Sequence, residues 1–249
     1  MRFFSSVFPL VALLTAFNLS PTAQAQAETT PPTSGDTVTI QASWIHLPAG
    51  KVELVSQPKN QTTPCEAGNG IILGGTEVPR GNSFEVNILK KSGKGVKVAT
   101  LTVPEQGKRF ILVLQGESAA ATRAWLIPGD LQAFPWGSAF FINQSSHTLR
   151  CSLDGRSCEI EPGAFKLNPF VASGENKTYH YLIEYKKDGK WTTDCSTQTV
   201  LGTTRRFIFS IGPDDPSQSQ LYKTSLADYR HDPLPPATEA KPPESQPAK

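Results

Sequence analysis

From Thr37 onward the chain alternates apolar and polar residues in short runs. Val38, Ile40, Ala42 and Trp44 fall on one face of an extended segment spanning 37–44, and Phe84, Val86 and Ile88 repeat the pattern. A side-chain period of two predicts strands with one buried and one wetted face. Tyr179, Tyr181, Ile183 and Tyr185 place four large residues on one face of a longer strand. Phe110 to Leu114 is apolar at every position, which predicts a central strand covered on both faces. Further strands are expected at 51–55, 96–98, 121–127 and 139–142, and on both sides of Asp154-Gly155. No stretch sustains a 3.6-residue period, so no helix is predicted. Residues 56–70 read as a long loop and 116–122 as a linker or an exposed turn. Short strands punctuated by Pro, Gly, Asn and Asp are the pattern of an all-β sandwich or barrel.

Two of these stretches echo each other. Ser83 to Leu114 and Tyr179 to Ile211 each end an apolar strand in a lysine pair, Lys90-Lys91 and Lys186-Lys187. A Gly-Lys turn follows in both, and a basic pair then opens an apolar strand: Lys108-Arg109 in one, Arg205-Arg206 in the other. Aligned on the lysine pairs, Phe84 falls on His180 and not on Tyr179. A one-residue slip inverts the faces of a strand, so the copies stand out of phase in this alignment. The echo predicts two immunoglobulin-like β-sandwich units in tandem, 37–128 and 129–227, with one larger β-sandwich as the alternative.

The ends change character. Arg2, the apolar run Phe3 to Phe17 and the small residues around Ala23 and Ala25 have the form of a secretory signal peptide, residues 1–25. Residues 26–36 are a polar, flexible leader. From Asp228 to Lys249 the chain carries six prolines and no apolar periodicity, the composition of a disordered tail. The expected product is an exported protein, periplasmic or extracellular, soluble once the signal is removed and not membrane-spanning. Without Arg2, 23 basic residues face 22 acidic ones, a balance that argues against a nucleic-acid-coating protein.

Four cysteines in an exported chain favour disulfides. In CSLDGRSC, Asp154-Gly155 is a strong two-residue hairpin turn, and counting outward sets Cys151 opposite Cys158. That leaves Cys65 and Cys195 as a second pair.

Chemistry-bearing patterns are sparse. His46, His147, His180 and His231 show no helical i, i+4 spacing, and no cysteine pair has C-x2-C spacing, so no metal site or cofactor is expected. No Gly-x-Ser-x-Gly elbow occurs; Gly116-Glu117-Ser118 lacks the second glycine. No catalytic residue stands out, and the chain reads as a non-catalytic interaction or structural module of the cell envelope or extracellular space, with an unidentified protein or glycan partner. One alternative is a carbohydrate- or polyanion-binding protein. Its site would be Trp191 with Lys186, Lys187, Lys190, Arg205 and Arg206, and Lys90, Lys91 and Lys94 on the other copy. A hydrolase with a dispersed site is a second alternative.

Overall fold

The computed structural model describes residues 36–46, 50–90, 92–116, 118–214 and 221–230. It is almost entirely β, with strands arranged in four sheets. The first half supplies β1 (Thr37–Ile45), β2 (Lys51–Gln57), β3 (Gln61–Cys65), β4 (Ala67–Asn69), β5 (Thr76–Pro79), β6 (Ser83–Leu89), β7 (Gly95–Thr102), β8 (Arg109–Gln115) and β9 (Arg123–Pro128). The second supplies β10 (Ala139–Asn143), β11 (Leu149–Leu153), β12 (Arg156–Ile160), β13 (Phe165–Leu167), β14 (Lys177–Lys187), β15 (Lys190–Leu201), β16 (Arg205–Asp214) and β17 (Leu221–Tyr229).

Sheet I has the order β3-β2-β6-β7, and sheet II the order β4-β1-β8-β9 with β5 also paired to β1. Sheet III is β13-β10-β16-β17 and sheet IV is β12-β11-β14-β15. The second half thus repeats the pairing order of the first. β1 runs parallel to β8 as β10 does to β16, and β2 pairs β3 and β6 as β11 pairs β12 and β14.

Three apolar cores separate the four sheets. Val38, Ile40, Trp44, Val52, Phe84, Val86 and Phe110 pack between sheets I and II. Phe141, Leu149, Cys151, Tyr181 and Ile183 pack between sheets III and IV. The third core lies between sheets II and III, where Ile45, Ile111, Val113 and Ile127 meet Phe140, Ile142, Ile208 and Leu226. The unbroken apolar run 110–114 follows from this layering. Phe110, Leu112 and Leu114 enter the first core while Ile111 and Val113 enter the third.

The one-residue slip between the copies has a local cause. Both β6/β7 and β14/β15 carry a bulge, after Val86 in one and after Ile183 in the other, 97 positions apart. Ile111 and Ile208, both in the third core, are also 97 apart. The hairpins differ between these anchors. Leu89 pairs with Gly95, leaving five residues in the turn, whereas Lys187 pairs with Lys190 around Asp188-Gly189 alone. Aligned on the bulges, the buried faces coincide.

Two expectations are corrected. The loop expected at 56–70 holds β3 and β4, whose alternation the polar run Gln61-Thr62-Thr63-Pro64 conceals. A strand, β17, runs to Tyr229, past the expected start of the tail, because Asp228 is buried in an ion pair. The stretch 116–122 holds a single 3-10 turn, Ala119–Ala121, capped by Ser118 and with no buried residue, in keeping with the exposed turn expected there. The signal, the leader to residue 35, and residues 231–249 lie outside the described residues.

Candidate functional site

At one edge of the first sheet pair, where the chain crosses from β3 of sheet I to β4 of sheet II, the sheets part around a cleft of about 740 Å³. Its floor comes from inward-facing positions of three strands: Trp44, Val52 and Cys65. Val52 and Cys65 are register partners, which sets them side by side. Pro64, Ala67 and Leu73 form the walls, with Gly50, Lys51, Glu66 and Thr76 at the rim. The size is that of a small-molecule or side-chain pocket, and the lining is mostly apolar.

The wall is held by a tight turn. β4 lies parallel to β1, and the chain then folds back so that Ser43 Oγ donates to Ile71 O at 2.7 Å and Gln41 Nε2 to Leu73 O at 3.1 Å. A Cβ on Gly68 would stand 2.2 Å from Ile71 O, so only glycine permits this return. Leu73 is left 39% exposed at the cleft mouth. Burial pushes the Cys65 thiol above its ordinary range, with a hydrogen bond to Thr76 opposing, so Cys65 contributes an apolar, uncharged surface.

Lys51 pairs in register with Leu89, the last residue of β6, and Gly50 packs against the Leu89 carbonyl. Lys90 and Lys94 bond to each other through their backbones at that same hairpin end, and both side chains are exposed. Three lysines therefore stand at the end of sheet I that carries the cleft, against Glu66, the one acid in the lining. Lys91 lies outside the described residues.

The basic pairs do not join these lysines. Lys108 and Arg109 sit at the opposite end of the first half, where Asp130 accepts hydrogen bonds from both backbone N–H groups. In the second half Lys186, Lys187, Lys190 and Trp191 gather at the tip of the β14–β15 hairpin. Arg205 and Arg206 follow the far end of β15, ~36 Å away at ~3.3 Å per residue. Arg205 donates to Asn176 Oδ1. Arg206 is 1% exposed and is no surface cation. Its guanidinium pairs with Asp228 at 2.8 Å, donates to the carbonyls of Gly129 and Phe134, and lies over the rings of Phe134 and Trp136. Burial pulls its pKa down while Asp228 opposes the shift. Removing Arg206 from the expected site is a correction: the linker it fastens exists only between the halves, and the sequence of β16 alone does not show it.

At the hairpin tip, Trp191 lies on the outer face of sheet IV with the Arg150 guanidinium 4.5 Å and Lys186 Nζ 5.7 Å from its ring. Arg150 is paired with Glu184 at 2.6 Å. A sugar stacking on the Arg150 side of Trp191 has to displace an internal cation.

Among the histidines, the ring of His147 lies 5.3 Å from that of Tyr185, and His180 Nε2 lies 3.1 Å from Ser196 Oγ. Among the described residues no group of three or more His, Cys, Asp or Glu stands close enough to hold a metal ion.

All four cysteines are free thiols in the structure. Cys151 and Cys158 are register partners, as the turn predicts. Cys65 lies in the core between sheets I and II and Cys195 packs on the core between sheets III and IV, so that second pairing is not made. The third core stands between them.

Sequence reading missed the cleft because its lining comes from five separate segments. The one local trace is the small-residue run Ala67-Gly68-Asn69-Gly70, where the walls need close backbone approach. No protein-family profile and no curated protein matches the chain, so the cleft and the lysines beside it stand on their geometry alone.

Proposed function

We propose that the chain is an exported, non-catalytic binding module built from two related sandwiches, and that its ligand is an apolar group with a negatively charged end. The observation that carries this reading is the apolar cleft of about 740 Å³ with Lys51 in its lining, at the end of sheet I that also carries Lys90 and Lys94. The apolar body occupies the space over Trp44, Val52 and Cys65, and the anionic end faces the lysines. Burying one aliphatic side chain contributes ~1.5–3 kcal/mol and a longer tail ~0.8 kcal/mol per buried CH2, and an exposed lysine adds ~1 kcal/mol or less.

Dodecanoate and dodecanol distinguish the two parts. Titration followed by tryptophan fluorescence is expected to saturate with dodecanoate and to be weaker with the neutral alcohol. Leu73→Asp places a charge on the cleft wall at an exposed position and is expected to weaken binding by roughly tenfold or more. Lys51→Glu should weaken dodecanoate alone, most at low salt. Unsaturable titration, or a Leu73→Asp protein that binds as tightly as the parent, overturns the reading.

A second reading, a polyanion at the β14–β15 tip, is favoured by Lys186, Lys187 and Lys190 gathering there beside Trp191. Replacing the three lysines with alanine would abolish retention on a sulfated-polysaccharide column if that tip is the site.

A further inference from the structure

We infer that Cys151 and Cys158, free thiols in the structure, are joined under oxidising conditions by a disulfide that fastens the edge strand β12 into sheet IV. The two residues are register partners in the β11–β12 hairpin, and both side chains are buried against the core between sheets III and IV. Counted outward from the two-residue turn they fall on a hydrogen-bonded pair, whose Cα atoms stand ~5.5 Å apart, inside the ~4.4–6.8 Å range that a disulfide spans.

The hairpin has little freedom to present any other pairing. Asp154 and Gly155 hold φ of 47° and 79°, the conformation of a two-residue turn that fixes the register of both strands. Asn168 fastens the same place from the side: its Nδ2 donates to the carbonyls of Cys151 and Arg156 and lies 3.8 Å from Cys158 Sγ.

The other cysteines do not compete. Cys195 occupies the same transverse row of sheet IV, but Ile183 of β14 stands between it and Cys151. Two strand spacings put the Cα atoms ~9–10 Å apart, beyond bridging distance. Cys65 lies in another core.

The oxidant is an external disulfide, either glutathione disulfide or the active-site disulfide of a thiol oxidase. One cysteine thiolate attacks a sulfur of that disulfide, forming a mixed disulfide and releasing one external thiol. The second thiolate then attacks the cysteine sulfur of the mixed bond, and the other external thiol leaves. Two cysteine thiols lose two electrons and two protons, and the external disulfide gains them as two thiols. Burial raises both thiols above their ordinary range, so the packed hairpin resists the reverse exchange.

The test uses the full chain carrying Cys65→Ser and Cys195→Ser, incubated with glutathione disulfide, then denatured and alkylated without reductant. The expected result is no alkylation, an intact mass lower by two hydrogens, and a linked peptide containing 151 and 158. A reducing agent should restore two alkylated thiols and lower the melting temperature. The chain with Cys151→Ser and Cys158→Ser is the control, and its melting temperature should not respond to reductant. Two alkylated thiols in the oxidised Cys65→Ser/Cys195→Ser protein overturn the inference. In the unsubstituted chain, a link from Cys151 or Cys158 to Cys65 or Cys195 does so as well.

Discussion

Arg109 and Arg206 occupy matching places in the two halves, 97 positions apart at the starts of β8 and β16, yet one is exposed and the other is 1% exposed. A guanidinium leaves water only where every donor finds a partner. At Arg206, one carboxylate, two carbonyls and two aromatic rings supply them. Removing one partner strands a buried charge, so Asp228→Ala is expected to cost ~3–5 kcal/mol in urea unfolding. Glu85→Ala, which breaks the exposed pair with Lys97, should cost ~1 kcal/mol or less. Equal losses would show that the Arg206 pair does not carry its charge dry. No local pattern separates the two arginines, because Arg206 takes its carbonyls from 77 and 72 positions away and its carboxylate from 22 positions away.

Turns were the most legible elements. Asp154-Gly155 and Asp188-Gly189 form the two-residue hairpins their sequence predicts, with positive φ at all four residues. Space around Gly155 is open, so Gly155→Ala pays only for the left-handed backbone. The expected loss is ~1–2 kcal/mol by thermal unfolding, and a change within error would mean the turn can relax to another type. β3, β4 and β17 were not legible. Their outward positions are polar, and their inward positions include Thr63, Gly68 and Asp228, whose burial depends on partners elsewhere. The lysine clusters were read correctly as strand ends. Which ends they share depends on strand direction, and the antiparallel path of β14 and β15 separates Lys190 from Arg205.

The whole molecule is joined by its third core. A polar cluster accompanies it: Gln115 of the first half accepts from Ser210 at 2.8 Å and bonds to Gln144, both of the second half, with all three side chains buried. Satisfied contacts of this kind couple the two sheet pairs, so calorimetry should show one transition. Ile142→Ala in the third core is expected to lower that transition as a unit, at a cost of ~2–5 kcal/mol. Two separated transitions, with only the second half affected, would refute the coupling. Deleting residues 231–249 should leave the melting temperature unchanged, since a segment so rich in proline and poor in apolar residues adds little to a core.

The sequence by itself determined the all-β class, most of the strands, the hairpin turns and the Cys151–Cys158 register, because period-two burial and turn conformation are local properties. It also determined that residues 110–114 are covered on both faces, without showing what covers them. The tertiary structure alone decided that sheet II packs on sheet III, that Arg206 is interior, and that Trp44, Val52, Cys65 and Leu73 line one cleft. Each of these joins residues from distant segments, and their contact is fixed by the stacking of sheets, which no single stretch of chain encodes.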